Sequence, residues 1–361
     1  MAGNVARALW RAVVGAGALA ALPWRTRDGS IAVFYGGAMA GDVGGPLVKR
    51  AILGQRFPER RVGFSLAYIL SNAIYLPQSA VETLQRAGIP IVLNQNGVFY
   101  PSWYPEDWKR ENARMAAVHR IADHVLYQST FCRRCAERYL GPRQGASEIL
   151  YNAVDVEHFS PGERDPKPFT FLVTGKIGAS TAYRLTSSID GLAAARRDGL
   201  DVRLVIAGHV ERTVEAQARA LADRHDIVDN VIFTGTYDRA EAPAIYRSAD
   251  AYLMTKHNDP CPNVVLEAMS TGLPIVYSAS GGVPELVGDE AGVGLEVPET
   301  FDDTPTPAPA AISAAMAQVI AGREAMGAAS RKRAIARFGV ASWLDRHQQV
   351  FETLLAGRSE A

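Results

Sequence analysis

Short apolar runs alternate with longer amphipathic stretches along most of this chain, and this alternation constrains its fold more than any other feature. The runs are rich in β-branched and aromatic residues, which favours strands over helices. Strands that alternate with helices are typical of βαβ units and parallel sheets. The predicted strands of the first half are 31–35, 63–70, 89–93 and 125–127, and those of the second half are 169–174, 202–207, 231–234, 251–254 and 274–277.

A polar segment rich in proline and charge, residues 160–168, interrupts this alternation near the middle of the chain. The length of 361 residues exceeds that of a common single domain, so two domains are expected. The pattern therefore predicts two Rossmann-like halves, and domains of this kind bind ligands outside the carboxyl ends of their strands. Apolar residues at helical spacing between Trp343 and Leu355 predict a final amphipathic helix, and another surface must cover its apolar face.

The charge and cysteine contents exclude several classes of protein. Lys and Arg total 38 and Asp and Glu total 38, so the chain lacks the basic character of a nucleic-acid-binding protein. Three cysteines are too few for a disulfide scaffold and suit a reducing compartment, which predicts a cytoplasmic location. Cys132 and Cys135 are interpreted as packed thiols, because no second pair accompanies them to hold zinc.

The N-terminal segment is the one part of the chain that points toward a membrane. Thirteen uncharged residues, 12–24, lie between Arg11 and Arg25. They are too few to span a bilayer, which needs about 20. Three interpretations stay open: a signal peptide, a helix packed on the protein body, and an interfacial helix that makes peripheral contact through residues 5–25 with the inner face of a membrane.

The segment from Asp259 to Glu267 carries the strongest chemical signal. It follows a predicted strand and runs through a turn, bracketed by two prolines, into a helix that is predicted to begin near Val264 with Asn263 as its cap. A helix start presents backbone N–H groups and a positive dipole end, which suit a diphosphate. The two carboxylates can accept hydrogen bonds from vicinal hydroxyls. Together these groups suit a nucleotide sugar.

An acidic residue and a glutamate separated by seven residues, followed by Ala268-Met269 and by Ser280-Gly-Gly-Val-Pro-Glu285, resemble a known family. The pattern is similar to that of the retaining glycosyltransferases of family 4, the glycosyl transferases group 1. The family usually has Glu at the first position, where this chain has Asp259.

The resemblance implies the α/β fold called GT-B, in which two Rossmann-like domains face each other across a cleft. It also implies that the C-terminal helix returns to the N-terminal domain. The predicted domains are therefore 1–163 plus 341–361, on the acceptor side, and 164–340, which binds the donor.

Three further segments resemble the family more weakly. Residues 151–161 resemble the segment before the interdomain linker, and residues 36–45 resemble the glycine-rich loop after the first strand. Gly175-Lys176 and Arg184 resemble the family's two basic positions.

The resemblance assigns a role to each of four candidate catalytic residues. Breaking the bond between a sugar and a nucleoside diphosphate develops negative charge on the leaving oxygen, which Lys176 and Arg184 would stabilise. Glu267 would accept hydrogen bonds from the ribose hydroxyls, and Asp259 would hold the transferred sugar. Structural alternatives are a turn cap for Asp259 and surface charges for the two cations. The predicted donor-binding residues are Gly44, Gly45, Pro260, Cys261, Pro262, Asn263, Val264 and Glu267.

The acceptor side is predicted with less support from the sequence. Asn94, Gln95 and Asn96 follow a predicted strand, and their amides can hydrogen-bond but cannot act as a base. Trp103 belongs to an aromatic group that suits stacking on a sugar, and ordinary packing is the alternative. His124, at the entry to the next predicted strand, completes the set of candidates.

The implied function is retaining transfer of a sugar from a nucleoside-diphosphate-sugar donor to a glycan, lipid-linked or small-molecule acceptor. No cofactor and no metal are expected. Two alternatives stay open: a nucleotide-sugar epimerase of similar architecture and a non-catalytic sugar-nucleotide-binding protein. The Asp259–Glu267 pattern argues against the epimerase.

Overall fold

The computed structural model describes residues 2–41, 45–72, 74–163 and 168–359, which form two compact units. The first unit runs to Asn152 and takes in the segment from Val340 onward, and the second runs from Ala153 to Gly339. The second unit begins this early because the Val154 N–H donates to the Phe338 carbonyl at 2.8 Å. The boundaries predicted from the sequence, 163/164 and 340/341, stay predictions.

The first unit contains a parallel sheet of five strands in sequential order. The sequence predicted the first four strands, and it missed the fifth because its residues are exposed or half-buried and so show no apolar run. Elements are numbered in chain order. The strands are β1 (Val33–Phe34), β2 (Leu66–Leu70), β3 (Ile91–Gln95), β4 (His124–Tyr127) and β5 (Ala146–Ile149), and the helices are α1 (Ala2–Ala20), α2 (Gly45–Arg56), α3 (Gln78–Arg86), α4 (Trp108–Ile121) and α5 (Thr130–Leu140).

The second unit contains a parallel sheet of six strands in the order β11-β10-β9-β6-β7-β8. Its apolar core includes Phe171 and Leu204, which are paired in neighbouring strands, and Met316, which packs with them. The strands are β6 (Phe169–Thr174), β7 (Val202–Ala207), β8 (Val231–Gly235), β9 (Ala251–Met254), β10 (Ile275–Ser278) and β11 (Gly292–Leu295), and the helices are α6 (Tyr183–Arg197), α7 (Arg212–Arg224), α8 (Ala242–Arg247), α9 (Asn263–Ser270), α10 (Val283–Val287) and α11 (Pro309–Phe338).

The final helix, α12 (Val340–Ser359), belongs to the first unit, as predicted. The ring of Phe351 lies 5.1 Å from that of Phe57, centroid to centroid. His347 is fully buried, and its Nδ1 donates to the Trp343 carbonyl at 2.8 Å. Its Nε2 therefore accepts the proton of the Tyr68 hydroxyl, 3.0 Å away. Burial in this apolar environment lowers the pKa of His347 to about 4, so the imidazole stays neutral.

Helix α1 packs on the first unit, as the second of the three interpretations of the N-terminal segment states, and this packing leaves its outer face exposed. Its small residues allow close packing, since a Cβ on Gly15 would lie 2.9 Å from the ring of Pro77. Within the described parts of the chain, no helix has the length and apolar character to cross a membrane.

Candidate functional site

The strand order of the second sheet explains why separate parts of the sequence meet. Strand β6 lies between β9 and β7, so the chain order reverses between β6 and β9. A crevice opens at such a point, outside the carboxyl ends of the strands. The loop after β6 carries Lys176, and the loop after β9 carries Asp259 and leads into α9 with Glu267. Residues separated by more than 80 positions in the chain thus come to one edge of the sheet.

Glu267 is half-buried on α9, and its carboxylate accepts a hydrogen bond of 2.7 Å from the Tyr246 hydroxyl of α8. Burial raises the pKa of this carboxyl above its ordinary value. The Tyr246 hydrogen bond and the nearby Arg239 and His158 side chains lower the pKa, but they do not offset burial. The glutamate is therefore anchored in the protein and can still accept hydrogen bonds from a ligand.

A series of hydrogen-bonded hydroxyl groups holds the Glu267 carboxylate in position. An ionised carboxylate can only accept, so the Tyr246 proton points to Glu267, and the Tyr246 oxygen accepts from the Thr174 hydroxyl at 3.1 Å. The Tyr252 hydroxyl then donates to the Thr174 hydroxyl at 2.9 Å. Its own oxygen accepts from the Thr174 N–H at 3.3 Å. The direction in which each hydroxyl donates is thus set by the carboxylate at one end of this series and by the backbone N–H at the other.

Removing the Tyr246 hydroxyl should weaken this support without removing its packing. Tyr246→Phe is expected to raise the pKa of Glu267 further, because the lost hydrogen bond lowers it. Affinity for a sugar nucleotide should then begin to fall at a higher pH than in the wild type. Tyr252→Phe is the matched control, since Tyr252 is also fully buried but its hydroxyl bonds Thr174, whereas it is the Tyr246 hydroxyl that donates to Glu267. Titration of binding against pH in both variants tests this, and equal profiles would contradict it.

Arg184 belongs to the first turn of α6 and is buried. Its guanidinium lies beside the end of β6, where it donates to the Thr174 carbonyl at 3.0 Å. Its Nε is buried without a hydrogen-bond partner, and among the described residues no carboxylate pairs with it. A buried cation without a counter-charge is costly and favours a bound anion. A Cβ on Gly175 would lie 3.8 Å from Arg184 Nη1, so this cation lies beside the Gly175-Lys176 turn.

Lys176 is exposed at that same turn, and within the described ranges it makes no hydrogen bond or ion pair. The surface-charge alternative thus fits Lys176 but not Arg184, which is inside the protein. The structure brings both cations to the carboxyl edge of β6.

Asp259 caps the turn that precedes α9. One carboxylate oxygen accepts from the Cys261 N–H at 3.2 Å, and the other pairs with the Lys256 ammonium at 2.7 Å. The structural alternative for this residue is therefore present, and its predicted role toward the transferred sugar stays a prediction. Gly281 lies against the backbone of the turn, because a Cβ there would be 2.4 Å from the Asp259 carbonyl oxygen.

Helix α9 begins one residue earlier than predicted, so Asn263 is its first helical residue and not its cap. Pro262 occupies the cap position, and its side chain has no oxygen that could cap the helix start. The prediction of Asn263 as the cap is wrong because the preceding proline already has the extended backbone of a cap residue, with φ −71° and ψ 121°. Pro260 and the buried Cys261 complete the turn, and Val264 follows in the first helical turn.

Two buried residues before Asp259 tie this turn to a loop further along the chain. His257 Nε2 and Asn258 Nδ2 both donate to the Thr300 carbonyl, at 3.1 and 2.7 Å. Burial lowers the pKa of His257, so the ring is neutral near pH 7. Asn258 has a φ of 53°, an uncommon backbone angle that these contacts hold in place.

The acceptor-side amides lie at the carboxyl end of β3 in the first unit. Asn94 and Gln95 are buried, and the buried Lys49 of α2 donates to Asn94 Oδ1 at 2.9 Å and also to Asn96 Oδ1. Lys49 was not among the predicted site residues, because a lysine in an amphipathic helix gives no sign that it is buried. Of the two glycines predicted to bind the donor, Gly45 begins α2 in this unit, and Gly44 lies outside the described residues.

Trp103 and His124 lie apart in the first unit. Trp103 is exposed in the loop after β3, which the buried Asn112 side chain pins by bonds of 2.9 and 2.7 Å to the N–H and carbonyl of Phe99. His124 is the first residue of β4 and pairs with Glu148 at 3.0 Å. The strands are parallel, so His124 lies at the amino edge of the sheet and Asn94–Asn96 at the carboxyl edge. The structure does not bring them together.

Solved structures share this two-unit architecture. The sucrose-phosphate synthase from Thermosynechococcus elongatus superposes with a TM-score of 0.63 at 18% identity, over 81% of this chain and 74% of that one. The Anabaena protein HepE in complex with UDP also gives a TM-score of 0.63, at 16% identity, over 85% of this chain and 82% of that one. The protein therefore has the GT-B fold, as predicted.

The sequence of the second unit resembles one protein family. Residues 158–333 match the family described as Glycosyl transferases group 1. A sulfoquinovosyl transferase from Arabidopsis thaliana is 26% identical over 230 residues, 58% of this chain and 42% of that protein. A D-inositol 3-phosphate glycosyltransferase from Mycolicibacterium smegmatis is 28% identical over 192 residues, 47% of this chain and 42% of that protein. The chain thus spans less than half the length of these curated relatives.

Proposed function

We propose that this protein is a glycosyltransferase that moves a sugar from a nucleoside-diphosphate-sugar donor to a glycan, lipid-linked or small-molecule acceptor. The observation that carries the proposal is the pairing, at one sheet edge, of a buried cation without a counter-charge and an anchored carboxylate. Arg184 Nη2 and Glu267 Oε2 are linked through Thr174 and Tyr246. A nucleoside diphosphate needs both groups, a cation for the phosphates and a carboxylate for the ribose hydroxyls.

The proposed chemistry follows from where charge develops. As the bond from the sugar to the diphosphate breaks, the leaving oxygen becomes negative, and a fixed cation lowers the energy of that state. Arg184 is held by its bond to the Thr174 carbonyl, so little reorganisation is needed when the charge appears. Lys176, exposed at the adjacent turn, is free to move onto the same diphosphate. Two cations and a helix start give this site an alternative to a divalent metal, and we propose transfer without one.

The family pattern supports the finer parts of the proposal. Retention of the anomeric configuration, membership of glycosyltransferase family 4 and the contact of Asp259 with the transferred sugar are inferred from it. Asp259 could reach a sugar if its ion pair with Lys256 opens or turns, since that pair is only partly buried. The acceptor contacts are proposed for the first unit, at Asn96 and Trp103.

A panel of sugar nucleotides tests the proposal directly. At least one should bind and be turned over, by hydrolysis alone or by transfer to an added acceptor, and a chelator should leave the rate unchanged. Isomerisation of the donor without release of nucleotide would instead indicate the epimerase. Binding without any turnover, over a range of acceptors, would indicate a non-catalytic sugar-nucleotide-binding protein.

A further inference from the structure

The outer face of α1 is apolar and exposed to solvent. Leu9 and Val13 lie one helical turn apart, with 63% and 62% of their surface exposed. Val14 and Ala18, on the opposite face, are buried against the first unit. After Val13, the exposed positions of α1 are Ala16, Gly17 and Ala20, so no charge interrupts the outer face from there to the end of the helix. An exposed, continuous apolar face of this kind marks an interaction surface.

The inner face fixes where this surface lies on the first unit. A Cβ on Gly37 would be 2.7 Å from Val14 Cγ2 and 3.4 Å from Trp10 Nε1. Gly37 belongs to the loop after β1, at the carboxyl edge of the sheet, which is also where Asn94 and Asn96 lie. Met39, two residues further along that loop, is exposed and extends the apolar surface.

The charge of the surrounding sequence identifies the partner. Residues 1–27 contain four arginines and no Asp or Glu, and the first acidic residue is Asp28. Tryptophans at positions 10 and 24 are both exposed, and tryptophan prefers the level of lipid headgroups. Excess basic charge attracts anionic lipids, and an apolar helix face inserts among their acyl chains.

We propose that the outer face of α1 docks on an anionic lipid bilayer, with the helix lying in the interface and not crossing it. Trp10 and Trp24 then lie at the headgroup level, and Leu9 and Val13 lie below them. In this orientation the carboxyl edge of the first sheet is held close to the membrane surface. A second copy of this chain would be the competing occupant of the same face.

Vesicle sedimentation with the full chain tests the proposal. Wild-type protein should bind vesicles of phosphatidylglycerol and phosphatidylcholine more tightly than vesicles of phosphatidylcholine alone, and added salt should weaken binding to the anionic vesicles. Leu9→Glu with Val13→Glu should lower binding to the anionic vesicles by about tenfold or more. The matched control is Val228→Glu with Ile335→Glu, which adds the same charge at positions of the second unit with 49% and 51% exposure.

Two results would overturn the docking surface. One is equal binding of the two double variants to anionic vesicles. The other is a concentration-dependent dimer, seen by light scattering, that Leu9→Glu with Val13→Glu abolishes while the wild type binds no vesicles. Circular dichroism of each variant checks that the fold is retained, as expected for substitutions at exposed positions. The readout is binding to lipid, so it does not depend on glycosyl transfer.

Discussion

Glu267→Gln is expected to weaken binding of the sugar nucleotide by about 10- to 100-fold, because a hydrogen bond to a charged acceptor contributes roughly 1.5–3 kcal/mol. The amide keeps the shape of the side chain, and its oxygen can still accept from the Tyr246 hydroxyl. What it loses is the negative charge and the capacity to accept two ribose hydroxyls at once. Isothermal titration calorimetry with the donor that turns over in the panel measures the change.

The pH dependence of binding separates this role from a loss of fold. Burial raises the pKa of Glu267, so wild-type affinity should be complete at pH values above that raised pKa and fall as the pH is lowered through it. Glu267→Gln has no carboxyl to protonate at this position, so its affinity should not fall as the pH is lowered through that range. The control is Glu215→Gln on α7, a half-exposed glutamate that pairs with Arg219, and this variant should bind like the wild type.

Glu267→Gln should not lower the stability of the unliganded protein, although it weakens binding. A carboxyl whose pKa is higher in the folded than in the unfolded protein costs stability once the pH rises above both values. Glu267→Gln removes that cost, so at neutral pH its free energy of unfolding should equal or exceed that of the wild type. A variant that binds weakly and is also clearly less stable would contradict a binding role for this carboxylate.

Gly281→Ala is expected to disturb both the turn at Asp259 and the stability of the second unit. Gly281 has a φ of 69°, and a Cβ there would lie 2.4 Å from the Asp259 carbonyl oxygen and 2.7 Å from its nitrogen. Backbone atoms cannot turn away as a flexible side chain can, so the turn must shift. The left-handed conformation alone costs an alanine about 1–2 kcal/mol, and the clash adds to that cost.

Gly199→Ala is the matched control, because Gly199 also has a positive φ, 88°, but a Cβ there would meet nothing within 4 Å. It should show the conformational cost alone and bind the sugar nucleotide like the wild type. Gly281→Ala should be less stable than Gly199→Ala in urea and should also lose donor affinity. If the two variants had the same stability and the same affinity, the close approach of Gly281 to the turn would have no functional importance.

Much of the fold was predictable because strand and helix periodicities are local properties of the sequence. Nine strands were predicted, and they correspond to β1–β4 and β6–β10. Strands β5 and β11 were missed because edge strands are only partly buried and need no continuous apolar run. The return of α12 to the first unit came from the family resemblance, since the periodicity showed an apolar face without showing what covers it.

The candidate site was predictable only where one short segment contains several of its residues. Asp259, the turn and Glu267 lie within nine consecutive positions, so the residues of this segment and their resemblance to the family pattern were enough to predict them. Tyr246 and Thr174 gave no such signal, because a tyrosine in a helix and a threonine at a strand end are common. His124 was predicted from its closeness in sequence to Asn94–Asn96. The connection between two parallel strands, however, runs from the carboxyl edge of the sheet back to its amino edge, so the end of β3 and the start of β4 lie at opposite edges.

By itself the sequence determined that alternating strands and helices form parallel sheets and that an acidic turn precedes a helix in the second half. Only the tertiary structure decided which residues support that turn. The order β9-β6-β7 places the carboxyl ends of β6 and β9 side by side, which joins Arg184 to Glu267 through Thr174 and Tyr246. Hydrophobic periodicity is read over a few residues, whereas burial and hydrogen-bond partners depend on which distant strands pair.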